Sequence, residues 1–208
     1  MFCAINKIIF THPPRCGGTS FESFLGFENN DEHSFLYKHA SLLDHIKAIK
    51  KMNQNPNDFV KISVIRNPWD RMVSWYFHLK QKALLYETLY GFKTKIQSAA
   101  CELEFNEFIN YIDKYQIKIF YRDFSFYMFG ETGAIEIDFI IKYENYNNDF
   151  LKSLRFLKKN RAKLNFIPVK NKTNENKLNY RLFFNKKSKE IIEKIYKKDI
   201  DYFSYTFD

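Results

Sequence analysis

The stretch from Lys7 to Leu25 constrains this chain more than any other. Lys7-Ile8-Ile9-Phe10-Thr11 is a short apolar run rich in β-branched residues, closed by His12 and the Pro13-Pro14 break. Arg15-Cys16-Gly17-Gly18-Thr19-Ser20 follows and runs directly into Phe21-Glu22-Ser23-Phe24-Leu25. The pattern reads as strand, tight loop and helix start. Unpaired N–H groups and the dipole at a helix N-terminus favour an anion in such a loop. Gly17 and Gly18 let the backbone approach that anion with no Cβ in the way. Arg15 adds a fixed positive charge and a donor fork suited to phosphate-like oxygens. By its chemistry this is a phosphate cradle.

A chain of 208 residues has room for one α/β domain with a sizeable core, and the 19% aromatic content supplies the bulk without disulfides. The three cysteines, Cys3, Cys16 and Cys101, are odd in number and lack metal-ligand spacing, which fits a reducing compartment. No signal segment and no membrane-spanning apolar run is present, so the expectation is a soluble, cytoplasmic protein. The net charge of +9 attracts polyanions in general and names no ligand.

The remaining elements follow from pattern. Residues 26–38 are polar and loop-like. Ser41 and Asp44 form a capping-box arrangement before Leu42, Leu43, Ile46 and Ile49 at helical spacing. Phe59 to Ile65 is a second buried strand. It ends at Arg66-Asn67-Pro68, where Asn67 suits an N-cap and Pro68 a first helical position. Trp69, Met72, Val73, Tyr76 and Phe77 mark one apolar face of a helix reaching about Tyr90. Further helices are expected from Glu104 to Tyr115, Phe150 to Leu157 and Ser188 to Tyr202, a strand from Ile135 to Tyr143, and a basic loop from Leu164 to Lys177. Strands alternating with helices predict an α/β fold: a single domain over residues 1–208, P-loop-like, three-layered, with a central parallel sheet flanked by helices. Ligands of such sheets sit at the carboxyl ends of the strands, where the two loops would meet.

The cradle is not a Walker A loop, because its basic residue precedes the glycines and no acidic strand end offers a Mg²⁺ site. A P-loop kinase or nucleotide hydrolase is therefore the weaker reading. A cation placed before a glycine pair resembles the 5′-phosphosulfate loop of sulfotransferases, His-x-Pro-Lys-(Thr/Ser)-Gly-Gly-Thr-Ser. Arg66-Asn67-Pro68-Trp69-Asp70-Arg71-Met72-Val73-Ser74-Trp75-Tyr76 is similar to the family's 3′-phosphate block, Arg-Asn-Pro-x-Asp-Arg-x-x-Ser-x-Tyr, at every defined position. Later segments, Ile137 to Asn145, Asn171-Lys172-Thr173 and Tyr196 to Phe207, are also similar, so the likeness covers nearly the whole chain. The sequence resembles the carbohydrate-type, family 2-like sulfotransferases that use 3′-phosphoadenosine 5′-phosphosulfate (PAPS).

That resemblance implies PAPS as sulfuryl donor, adenosine 3′,5′-bisphosphate as product, no metal, and a hydroxyl acceptor expected on a carbohydrate or glycolipid rather than nucleic acid. Cys16, Thr19, Ser20 and the N–H groups of Gly17 and Gly18 would hold the 5′-phosphate. Arg66 and Ser74 would hold the 3′-phosphate, and the basic loop at Lys170, Asn171, Lys172 and Thr173 would close over the nucleotide. Arg15 replaces the family's usual lysine, and other branches also carry Pro-Arg here. An arginine acts as an electrostatic clamp on the leaving oxygens rather than as an acid. Cys16 stands where Thr or Ser is commoner and reads as a small filler. His39, in Lys38-His39-Ala40-Ser41, is the expected base for the acceptor hydroxyl. His33 and Glu22 are its rivals, and Lys38 and Ser41 possible helpers.

Other residues read as structural. His12 belongs to the strand end, His45 and His78 to a surface or interface, and the tryptophans with Tyr76 and Phe77 to the core. Asp70 with Arg71 fits either a helix-start charge pair or a ligand role. The late lysines read as a solvated face. Two other classes stay open: a sulfotransferase relative without activity, and a basic, aromatic-rich nucleic-acid module.

Overall fold

The computed structural model describes residues 2–3, 6–25, 39–91, 93–160 and 179–207. Their backbone divides into two compact units, the described parts of Met1–Arg66 with Phe124–Thr173, and of Asn67–Asp123 with Asn174–Asp208.

The first unit carries the sheet. Strands β1 (Phe2–Cys3), β2 (Ile8–Thr11), β3 (Val60–Ile65) and β4 (Phe139–Lys142) lie in the order β1-β2-β3-β4. β1 runs antiparallel to β2, while β2, β3 and β4 are parallel, with Ile9 opposite Lys61 and Ser63 opposite Ile140. Alternate side chains go to opposite faces. Phe10 stacks on Phe21 of α1 (Gly18–Phe24) at 4.6 Å between ring centroids, and Phe21 meets Phe150 of α7 (Tyr146–Asn160) edge-on at 5.6 Å. Ile9, its neighbour in the strand, clusters instead with Leu42, Ile46 and Ile49 of α2 (Leu42–Lys51). Helices therefore cover both faces, and the expected α/β fold, a parallel sheet flanked by helices, is what forms. Each fully buried Phe or Ile contributes about 1.5–3 kcal/mol relative to exposure.

Local signals set several boundaries. Ser41 caps α2 through the Asp44 N–H, and Asp44 reaches back to the Ser41 N–H at 2.9 Å, the capping box read from the sequence. His45 departs from expectation. It is 2% exposed, the next inward position after Leu42, so it lies in the interior rather than at a surface. The strand expected from Ile135 to Tyr143 is shorter. Ile135 makes only an isolated bridge to Phe129, and the ladder to β3 covers Phe139–Lys142. Between β3 and β4 the first unit also holds the short α6 (Phe124–Met128).

The second unit is helical. Asn67 caps α3 (Pro68–Tyr90) by accepting from the N–H groups of Trp69 and Asp70, with Pro68 in the first turn. α4 (Lys95–Glu102), α5 (Phe105–Tyr115), α8 (Lys186–Ile195) and α9 (Lys197–Phe203) complete it. Trp69, Met72, Val73 and Tyr76 join Phe108, Ile112, Phe120 and Ile192 in one core. Phe77, expected on that face, is 38% exposed. The single helix expected from Ser188 to Tyr202 breaks at Tyr196, a buried residue whose hydroxyl donates to the Phe120 carbonyl. That tertiary bond fixes Tyr196 outside helical backbone geometry.

Candidate active site

The loop between β2 and α1 and the end of β3 meet in the first unit. Arg66, one residue beyond β3, donates from Nη1 to the Arg15 carbonyl at 3.0 Å. Arg15 (φ 68°) and Gly17 (φ 83°) both take left-handed backbone conformations, so the chain coils tightly around Cys16. A non-glycine residue there is uncommon, and it is held at Arg15 by the contacts around it. Burial, followed by the neighbouring Arg66 guanidinium, lowers the Arg15 pKa from its ordinary value. Two guanidinium-bearing residues thus converge at this turn. An anion placed here would relieve their repulsion.

The glycines are required by what surrounds them. A Cβ on Gly18 would lie 2.4 Å from His12 Cγ, and one on Gly17 would lie 2.7 Å from Tyr143 Cδ2. The His12 ring is fixed beneath α1, with Nε2 2.8 Å from Glu22 Oε1 and Nδ1 3.2 Å from the Pro13 carbonyl. Glu22, one of the rival bases, is 2% exposed and engaged in this pair. Since α1 has only seven residues, its dipole is a small part of the cradle, and the two arginines carry most of the positive field.

His39 stands against the same strand end. Its Nδ1 lies 3.2 Å from the His12 carbonyl, and the two rings meet edge-on at 4.6 Å. A carbonyl can only accept, so neutral His39 donates from Nδ1 and carries its lone pair on Nε2. Cys16 is fully buried with Sγ 3.9 Å from the Pro14 carbonyl, so its thiol packs inward. Thr19 is exposed and Ser20 half-buried at the start of α1. Ser74 is half-buried on α3 in the second unit. Arg71 is buried in that unit, its guanidinium 5.4 Å from the Tyr196 ring centroid. His33, Lys38, Lys170, Asn171, Lys172 and Thr173 lie outside the described residues.

Two tyrosines join the cluster that the sequence reading did not single out for the site. Tyr143, directly after β4, places its ring 4.1 Å under the Arg66 guanidinium and against Gly17. Tyr146 stacks on Phe150 and meets Tyr143 edge-on, with its ring near Gly17. Burial pushes the Tyr146 phenol up and the nearby Ser20 side chain pulls it down, while among the described residues no partner lies within full hydrogen-bond geometry of its buried oxygen. The position of Tyr143 after the third parallel strand was the available signal, since strand ends of such sheets form the ligand crevice.

The family model for the sulfotransferase family matches residues 1–206. The chain belongs to the sulfotransferase family. The match spans both blocks at the strand ends and supports an enzyme of sulfuryl transfer. No curated protein and no solved structure matches the chain. Among the described residues of this sulfotransferase-family chain, no group of three or more His, Cys, Asp or Glu is placed to hold a metal ion. No helix among them is long and apolar enough to cross a membrane.

Proposed function

We propose that the protein transfers the sulfuryl group of PAPS to an acceptor hydroxyl, on a carbohydrate or glycolipid, with His39 as base. One observation carries the reading: the Arg66 guanidinium reaches across to the Arg15 carbonyl, so the two cationic turns share one strand-end site. A nucleotide bearing phosphates at both its 5′ and 3′ positions offers negative charge at two points, as two neighbouring arginines require. The space left by Gly17 and Gly18 lets loop N–H groups approach the 5′ end.

In this reading the donor supplies the sulfuryl group and a leaving phosphate that is already a stable anion. His39 accepts the hydroxyl proton at Nε2, its Nδ1 held by the His12 carbonyl. The acceptor oxygen forms its bond to sulfur as the bond from sulfur to the 5′-phosphate oxygen breaks. Arg15 and the loop N–H groups stabilise the charge gathering on that oxygen. Arg66 holds the 3′-phosphate, Ser74 is assigned to the same phosphate by the sequence block alone, and Lys170, Asn171, Lys172 and Thr173 contribute to retention of the nucleotide. The free thiols of Cys16 and Cys101 favour a cytoplasmic setting.

Arg66→Ala tests the assignment. It is expected to weaken binding of adenosine 3′,5′-bisphosphate by about tenfold or more, a charge-assisted contact, while AMP loses much less. Calorimetric titration of both nucleotides measures this, and equal losses would contradict the site. His39→Ala is expected to remove sulfuryl transfer while leaving bisphosphate affinity within about twofold.

A further inference from the structure

Helix α3 is buried all round over its first turns, from Pro68 to Val73, and further on carries several large apolar residues outward. Phe77 is 38% exposed, Leu84 63%, Leu85 44% and Leu89 60%. At 100° per residue, Phe77, Leu84, Leu85 and Leu89 occupy a sector about 140° wide, which they share with His78, Gln81 and Thr88. It lies opposite the buried side formed by Met72, Tyr76, Leu79 and Ala83. Lys80 flanks one edge of the sector and Lys82 the other. The turn Tyr180–Phe183 is fastened beside it by Phe183 against Phe77 at 5.4 Å between centroids, and Leu182 of that turn is 83% exposed. Isolated exposed leucines need no explanation, but a group of large exposed apolar side chains on one sector with a charged rim marks an interaction surface.

The rim identifies the partner. Between residues 77 and 95 stand four lysines, Lys80, Lys82, Lys93 and Lys95, and one carboxylate, Glu87, already paired to Lys93 at 2.7 Å. A second copy of a chain with net charge +9 would bring the same lysines against these. A negatively charged lipid surface accepts both components: phenylalanine and leucines at the acyl boundary, and lysines at the headgroups. We propose that the outer face of α3 from Phe77 to Leu89 docks the protein peripherally on an anionic membrane surface. Attachment of this kind is independent of nucleotide binding at the strand ends, and can be tested in the absence of any donor.

The full chain is sedimented with phosphatidylcholine vesicles and with vesicles in which a third of the lipid is phosphatidylglycerol. The expected result is co-sedimentation with the anionic vesicles alone, reduced at 0.5 M salt. L85E/L89E is expected to lower the apparent affinity about tenfold, and K82E by a smaller factor that salt abolishes. Leu89→Gln, a milder change at an exposed position, is measured alongside, with circular dichroism of every variant. Retention of wild-type protein in the supernatant with anionic vesicles would overturn the proposal, as would binding unchanged in both the folded Leu89→Gln and L85E/L89E. A dimer of the wild-type chain that L85E/L89E converts to monomer would assign the face to a second copy, and overturn it equally.

Discussion

Gly18 illustrates how one atom governs the candidate site. His12 is pinned by Glu22 and the Pro13 carbonyl, so its ring cannot retreat from a Cβ at 2.4 Å. Gly18→Ala is expected to cost about 1–3 kcal/mol, the usual range for forcing extra volume into packed surroundings. A urea midpoint unchanged from wild type would show that His12 moves freely. Tyr146 offers the opposite case. Its hydroxyl is buried and closes no full hydrogen bond among the described residues, so Tyr146→Phe removes a desolvated group while keeping the stacked ring. The variant is expected to be as stable as wild type, or more stable by about 1 kcal/mol. Destabilisation in the same denaturation measurement would mean that Ser20 holds the phenol in solution.

Within α2 the decisive residue is His45. Burial first, with nearby positive charge adding to it, pulls its pKa from 6.5 down to about 2. The folded chain therefore keeps the imidazole neutral. Above about pH 6.5 neither state binds the proton and the contribution is complete. As pH falls from there towards 2, the unfolded chain takes up a proton that the folded chain refuses, and stability drops by about 1.4 kcal/mol per pH unit from this group. His45→Leu is expected to flatten that part of the profile between pH 7 and 5. Wild-type and variant curves that run parallel in urea titrations across this range would remove His45 as the cause. Helix α3 shows the same dependence on surroundings: its start is fixed locally by Asn67 and Pro68, but Phe77 turns outward where its neighbours turn in.

For the molecule as a whole, the consequence of two converging arginines is linkage to an anion. Adenosine 3′,5′-bisphosphate at about 100 times its dissociation constant is expected to stabilise the folded chain by about 2.7 kcal/mol, raising Tm by about 5–10 °C. In Arg66→Ala, with its affinity about tenfold weaker, the same ligand concentration should give about half that shift or less. Inorganic sulfate giving an equal shift at matched ionic strength, in wild type and variant alike, would reduce the effect to general screening of a +9 chain.

Much of this architecture was legible because its determinants are local. Pro13-Pro14 ends one strand, Ser41 and Asp44 close a capping box, and Asn67-Pro68 starts a helix, each through bonds spanning a few residues. Two loop motifs in sequence order were enough to point to the sulfotransferase family, since a phosphate-binding turn depends on backbone freedom and charge within one short segment. What lies beyond such reach was decided by packing. His45 is buried because α2 must cover Ile9, Tyr196 breaks a helix to satisfy the Phe120 carbonyl, and Tyr143 becomes the floor for Arg66 only when β4 pairs with β3. Each of these is a meeting of groups distant in the chain, and side-chain identity alone does not specify which distant surface will exclude water from it.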